Sequence, residues 1–356
     1  MDASGILENQ IQKLEEKVKA ASLPEDLLEK IEEELEILRS TLKVGPQAGG
    51  SFATFENVVS YINWVTSLPF NKETRDTLDL AAAKQILDKN HYGLDSAKDK
   101  ILEYLSSLIL NTKNRASNQE LKSPVLCFVG LVGTGKTTLA YSVAEALGKK
   151  FERIPFGGMG GVQALRGQSR TVPDAEPGFI IKSLVHSQSK NCVILLDELD
   201  RVTGEGRSDI MGVLVELLDA EQNKAFIDHY IDYPFDLSQV LFVATVNNTI
   251  NIATAVLDRL EIIQMPSFTD EEKITIAKSF LFPKIRKQTG LSENQIAIND
   301  IVWPTVVRPL GFDSGIRSLE RTIEGICRKA ARLVVEGKTQ SVQITNENIK
   351  AFLPKM

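Results

Sequence analysis

The sequence predicts an α/β protein: a parallel sheet with helices on both faces, preceded by an N-terminal helical arm and followed by a small all-helical domain. Three observations predict it. From about residue 76 to 266, apolar β-rich runs alternate with helical segments, and strands that read as continuous apolar runs belong to parallel sheets buried on both faces. Before residue 50 the apolar residues recur at steps of three and four, the period of an amphipathic helix. After Pro266 the strand-like runs stop and helical patterns continue. The expected division is a helical hairpin arm and joint over 1–50, a helical linker over 51–75, a large α/β domain over 76–266 and a helical domain over 267–356.

In the arm, Leu7, Ile11, Leu14 and Val18 form a narrow apolar seam with Glu and Lys between them. Ser22 is placed to cap the next helix, with Glu25 as its capping-box partner and Pro24 in the first turn. Leu28, Ile31, Leu35, Leu38 and Leu42 then supply that helix's apolar face. Internal packing of a hairpin accounts for the seam; docking on a neighbouring subunit is the alternative. "KVGPQAGGS" (43–51) reads as a flexible joint. The strand runs are "PVLCFVG" (124–130), "FERIPF" (151–156), "CVILLDE" (192–198), "VLFVATVN" (240–247) and "EIIQMP" (261–266).

Composition narrows the class. The 356 residues, 43% of them hydrophobic, suffice for two or three domains with sizeable cores. Cys127, Cys192 and Cys327 lie far apart, with no spacing that suggests a metal site or a disulfide framework, so a reducing, intracellular compartment is expected. "MDASGILENQIQKLEEK" carries acids early, and no run of about 18 apolar residues occurs, so neither a signal peptide nor a membrane span is predicted. The net charge is −6, and residues 1–43, with eleven acids and six bases, carry −5 of it. That balance argues against a general nucleic-acid binder.

The chemistry begins at "GLVGTGKT", Gly130 to Thr137, between the strand "VLCFV" and the helix "TTLAYSVAEAL". This is the G-x-x-x-x-G-K-[ST] phosphate loop. Gly130, Gly133 and Gly135 let the backbone N–H groups turn inward around phosphates, with Thr134 and Thr138 flanking the lysine. Lys136 reaches the outer phosphates, and Thr137 offers a hydroxyl to Mg²⁺. About sixty residues on, "VILLDELD" ends an apolar strand in acids. Asp197 is placed to hold Mg²⁺ and Glu198 to polarise an attacking water. Together these motifs predict nucleotide hydrolysis with Mg²⁺.

Two weaker features follow in order. "FVATVNN" ends in Asn247, an uncharged group that can orient water beside a γ-phosphate. In "LDRLE", Arg259 is a candidate arginine finger for a neighbouring subunit's nucleotide, against the simpler reading of a local Asp-Arg salt bridge. Further on, Arg317 and Arg321 lie four apart on one helix, where one of them can fold down on the nucleotide; a salt-bridge ladder with Glu320 and Glu324 is the alternative.

The order "LDKNHYGLDSAKDKILEYL", "GLVGTGKTTLAYSVAEALGKKF", "RGQSRT", "LLDELD", "LLDAEQNKAFIDHYIDYPFDLSQVLFVATVNN", "LDRLEII" and "GIRSLERTIEGICRKAA" closely resembles the AAA+ ATPase module of Lon proteases, from roughly Lys17 onward. The resemblance implies a hexameric ring with ATP at subunit interfaces. Lys136, Thr137, Asp197, Glu198, Asn247 and Arg317 would then serve their own subunit's nucleotide, and Arg259 the neighbour's. His91 and Tyr92 of "NHYGLD" would lie against adenine; by itself that pair reads as ordinary packing. The resemblance also implies an unfoldase role with a polypeptide client; a separate protease or adaptor is a further candidate partner, and the reducing, intracellular reading makes the cytoplasm the expected location, with the mitochondrial matrix left open.

Two departures qualify it. No stretch resembles the "GPSAG" type segment that carries the Lon serine, so no peptidase activity is expected from this chain, whether it is a stand-alone Lon-like ATPase or the motor fragment of a full-length protease. The Lon loop that grips polypeptide carries an aromatic residue after "RRT", whereas "RTVPDAEPG" offers Val172 and Pro173, with less surface to bury than a ring of 150 Å² or more. Two other classes compete with a ring remodelling ATPase. A nucleotide-dependent scaffold would need neither Glu198 nor Arg259, and a nucleic-acid-directed ATPase finds no interleaved basic and aromatic residues.

Overall fold

The computed structural model describes residues 3–44, 51–113, 124–202, 204, 206–308 and 315–353. In chain order the elements are helices α1 (Ala3–Ala20), α2 (Glu25–Val44), α3 (Ser51–Ser67), α4 (Leu80–Asn90) and α5 (Asp95–Lys113). Then come β1 (Val125–Val129), α6 (Lys136–Leu147), β2 (Phe151–Pro155), α7 (Gln163–Arg166), α8 (Phe179–Ser187), β3 (Val193–Asp197) and α9 (Arg207–Leu217). They are followed by β4 (Phe226–Ile227), β5 (Pro234–Phe235), β6 (Leu241–Val246), α10 (Thr254–Leu257) and β7 (Leu260–Gln264). The chain continues through α11 (Asp270–Ile276), α12 (Phe282–Gln288), β8 (Ile296–Ile298), α13 (Trp303–Val307), α14 (Arg317–Val335), β9 (Val342–Ile344) and α15 (Ile349–Phe352).

The five expected strand runs form one parallel sheet in the order β2-β3-β6-β1-β7. Each strand lies within a residue or two of its apolar run; β1, β3 and β6 are buried almost throughout, as expected of strands covered on both faces, whereas β2 and β7 at the two ends of the sheet are only partly buried. Val193 pairs with Phe151 on one side and with Leu241 on the other, and every residue of β3 from Val193 to Leu196 is fully buried.

The chain divides into two compact units, one of 1–79, 107–127 and 144–261, the other of 80–106, 128–143 and 262–356. In the first unit, α1 packs on α2 and α3, with Ile11, Leu14, Val18, Ile31, Leu35 and Leu38 all buried. The seam is therefore used inside the arm, as hairpin packing. Two details differ from expectation. Leu27, not Leu28, is the fully buried residue of the first turn; both fit the helical period, and only packing against α1 chooses between them. The helix also begins at Glu25, with the Leu28 amide donating to the Pro24 carbonyl, so Ser22 stands ahead of the helix and its carbonyl takes a bond from Asn71. The Leu42 side chain and residues 45–50 of the expected joint lie outside the described residues.

In the second unit, α11 to α15 enclose a core of Ile285, Val302, Trp303, Val306, Leu319, Ile323, Ile326 and Ala330, with Phe282 set edge-on to Trp303. Helix α11 starts on a capping box of Thr269 and Glu272. The C-terminal part is helical, with one correction: it is not all-helical, since β8 and β9 pair in parallel. Three residues each are too few to show a period in sequence. They form because Ile296, Val342 and Ile344 close the end of the helical core.

Candidate nucleotide site

The phosphate loop lies in the second unit, between the end of β1 and the start of α6. Gly133 (φ 84°) and Gly135 (φ 92°) adopt the left-handed conformation that a side chain disfavours. A Cβ on Gly130 would stand 2.6 Å from the Met265 carbonyl oxygen, so the loop's base is pressed onto the residue following β7. Lys136 is buried, and its ammonium donates to the carbonyls of Gly130 at 2.6 Å and Leu131 at 2.9 Å. Thr134 Oγ1 donates to the Leu131 carbonyl and Thr138 Oγ1 to that of Gly135, while Thr137 stands half-buried in the first turn of α6. The loop thus places successive backbone groups and a positive charge at a helix N-terminus, the arrangement that binds phosphate.

The start of α14 is docked on this loop. The Ile316 amide donates to the Gly133 carbonyl at 3.0 Å, and a Cβ on Gly315 would stand 2.3 Å from the Val132 carbonyl oxygen. Arg317 follows directly, its amide nitrogen 3.3 Å from where a Gly133 Cβ would be. Arg321 is about one turn further along the helix, roughly 6 Å. Glu320 pairs with Lys284 at 3.6 Å and Glu324 with Arg328 at 2.5 Å, so the alternative ladder with Arg317 and Arg321 is not what these acids form.

His91 is buried behind α6, with Nε2 2.9 Å from Ser142 Oγ, and Asn90 donates to the same hydroxyl at 3.0 Å. The buried Lys98 donates to the His91 carbonyl and pairs with Asp88. Burial first, and the Lys98 charge second, pull the His91 pKa from 6.5 down to about 4, against a backbone hydrogen bond with Thr138 that raises it. Tyr92 beside it is 42% exposed. The sign follows from linkage: the folded state holds its proton less tightly than the unfolded chain, so the contribution is complete above pH 6.5 and is lost as pH falls toward 4. That separation is worth on the order of 3 kcal/mol. His91→Gln should flatten this part of the stability curve, which urea unfolding at pH 5 and pH 7 will read.

In the first unit, the acids at the end of β3 are held by a network. Asp197 is buried; its Oδ2 takes a forked pair of bonds from Arg153, at 2.7 Å from Nε and 2.6 Å from Nη2. Its Oδ1 accepts from Thr245 Oγ1 at 2.5 Å. The same hydroxyl accepts from the Glu198 amide at 2.9 Å. Glu198 sits in the left-handed region (φ 61°, ψ 48°), a conformation that costs about 1–3 kcal/mol in a non-glycine residue and persists where the surroundings impose it. Its carboxylate pairs with Arg201 at 3.2 Å. Asn247 is fixed by Asp200, which accepts from its amide at 3.1 Å and from Nδ2 at 3.3 Å.

Arg259 is not paired with Asp258, as the simpler reading had it. One terminal nitrogen donates to Asp219 Oδ2 and the other to the Ala255 carbonyl, both at 2.8 Å, and the bond from Arg259 is the chief reason the Asp219 carboxyl lies below its usual pKa. Val172 is 44% exposed at the tip of the 168–177 loop. Its amide donates to the Ser169 carbonyl, and the next residue but one after Pro173, Ala175, donates back to Val172.

Residues 126–267 match the family described as "ATPase family associated with various cellular activities (AAA)", and residues 287–342 match the "Lon protease AAA+ ATPase lid domain". The chain carries a Lon-type AAA+ ATPase region. It is 41% identical to the Lon protease of Lawsonia intracellularis over 346 residues, which are 97% of this chain and 40% of that protein. Lon protease of Syntrophomonas wolfei is 41% identical over 97% of this chain and 41% of its own length. For Clostridioides difficile Lon protease the figures are 41%, 96% and 42%. The chain therefore spans about two fifths of the length of these curated relatives. The AAA match contains the phosphate loop, Asp197, Glu198, Asn247, Arg259 and Val172, and the Lon lid match contains Arg317; nucleotide binding and ATPase activity belong to this Lon-type region. No described helix is long and apolar enough to cross a membrane.

Sequence reasoning about this region missed the supporting residues. Thr245 sits inside an apolar strand run two residues before Asn247, which is a visible signal, and Asp200 is the third acid of "LLDELD". Arg153 and Asp219 carry no local signal, because each partner lies 40 residues or more away.

Proposed function

We propose that this region hydrolyses MgATP at the interfaces of a hexameric ring of copies and uses the motion to remodel, unfold or translocate polypeptide. The observation that carries it is the seating of α14 on the phosphate loop through Gly133, Gly315 and Ile316. A helix bonded to the loop that binds phosphate moves when that loop changes partners, which converts nucleotide state into motion of the helical domain. The proposed large and small domains are 76–266 and 267–356.

In this reading Lys136 and the loop amides take the phosphates, Glu198 polarises the water and Asn247 orients it. Arg317 reports the γ-phosphate, and Arg259 acts in the neighbouring subunit's site. Tyr92 lies against adenine with His91 as its buried support. Thr137 and Asp197 fit Mg²⁺, since hydroxyl and carboxylate oxygens are the hard donors this ion takes alongside phosphates. When bound, Mg²⁺ neutralises phosphate charge and orients the chain for in-line attack. Val172 and Pro173 contact the client, and the cytoplasm is the expected location. The match to Lon proteases favours a second reading of the same chemistry, as the motor of an ATP-dependent protease.

Lys136→Ala should weaken ATP binding about 10- to 100-fold, the value of a charge-assisted contact, measured with a fluorescent ATP analogue. Turnover of the unaltered chain should rise with protein concentration as interfaces form and rise again with an unfolded polypeptide. Full turnover in a dilute monomer, with no response to polypeptide, would overturn the proposal.

A further inference from the structure

The 168–177 loop has its own foundations, all within the first unit. Its two ends cross at Gly167 and Gly178, where a Cβ on Gly178 would stand 2.0 Å from the Leu165 carbonyl oxygen. Beneath the crossing lies Asp228, fully buried. Its carboxylate accepts from the Gly178 amide at 2.7 Å, from Tyr230 at 2.8 Å and from Ile231 at 3.1 Å. The segment 228–233 that Asp228 organises is bonded on its other side to the arm. Tyr61 donates to the Ile231 carbonyl at 3.3 Å, Tyr230 to Ser60 at 3.2 Å and Tyr233 to Asp26 at 2.8 Å.

A second connection reaches the loop directly. Arg170, two residues before Val172, lays its guanidinium over the Tyr61 ring at 3.9 Å and pairs with Glu34 at 2.9 Å. Both side chains of this pair are partly shielded, and Tyr61 is buried. A planar guanidinium stacked on one ring and bonded to one carboxylate has little freedom left.

We propose that the helical arm is a strut for this loop: Glu34 of α2 and Tyr61 of α3 position Arg170, Asp228 pins the loop's base, and together they hold Val172 where it meets polypeptide. Arg170 bonds to Glu34 and stacks on Tyr61, all three within the first unit. The functional half of this inference rests on the reading of Val172 as a client contact; the structural half does not.

The test uses the full chain and three variants, Glu34→Gln, Arg170→Met and Val172→Asp. Hydrogen exchange of the 168–177 amides should quicken by about three- to tenfold in the first two, with exchange in β3 unchanged as evidence of an intact fold. The KM for a carboxymethylated, permanently unfolded polypeptide in stimulating ATP turnover should rise in all three, with basal turnover unchanged in Glu34→Gln and Arg170→Met. Arg170→Lys, which keeps the charge, should recover part of the loss. Unchanged loop exchange in both Glu34→Gln and Arg170→Met overturns the strut. So does quickened exchange with an unchanged KM, when Val172→Asp raises it. If Val172→Asp leaves KM unchanged, the client-contact reading fails instead, and the exchange rates alone decide the strut.

Discussion

Glu198→Gln should lower ATP turnover about 10²- to 10⁴-fold, the usual worth of a positioned general base, while ATP binding stays within a few-fold of the unaltered chain. The substitution is nearly isosteric and leaves the backbone interaction that holds Glu198 untouched: its amide still donates to Thr245, whose hydroxyl still donates to Asp197. What is lost is the negative charge that draws a proton from water. The ion pair with Arg201 is lost as well, but that pair is on the surface and contributes little to stability. Single-turnover kinetics beside equilibrium binding of a fluorescent ATP analogue separates the two quantities. Equal turnover in the variant and the unaltered chain would favour a nucleotide-dependent scaffold over a hydrolase.

Arg259→Ala should cost about 10³- to 10⁵-fold in turnover if it serves as an arginine finger, and Arg259→Lys should not restore it, because an ammonium cannot reproduce the guanidinium fork. Mixing decides whether the finger acts on a neighbour. Glu198→Gln subunits lack the base but keep Arg259, and Arg259→Ala subunits have the reverse. In a mixed ring, an interface that takes its base from one and its arginine from the other is complete, so activity should reappear on mixing two inactive proteins. If the mixture stays inactive, Arg259 acts inside its own subunit, where Asp219 and the Ala255 carbonyl already hold it.

The arm shows how far sequence reasoning reached. Its helices and their mutual packing were legible because Ile11, Leu14, Val18, Ile31 and Leu38 repeat at the helical period. The choice of Leu27 over Leu28 was not, since the two flank the same apolar stripe, one spaced four and the other three residues before Ile31, and only packing selects which is covered. The pair β8 and β9 was missed for a related reason: each is three residues long and exists only against the core it closes. In the candidate site, Lys136, Asp197, Glu198, Asn247 and Arg259 were legible as types at fixed places relative to strands. Their supports Arg153, Thr245, Asp200 and Asp219 were not assigned.

By itself, then, the sequence determined the parallel sheet, the phosphate loop at a strand-to-helix turn, the acids at a strand end and the helical character of both termini. All of these are set by neighbours along the chain, through backbone conformation and hydrophobic period. Only the tertiary structure decided that the start of α14 is bonded to the loop through Ile316 and Gly133, that Arg153 and Thr245 hold Asp197, and that Glu34 meets Arg170 from 136 residues away. Such contacts depend on where whole elements pack, and a single charged or polar side chain has no periodicity to announce its distant partner.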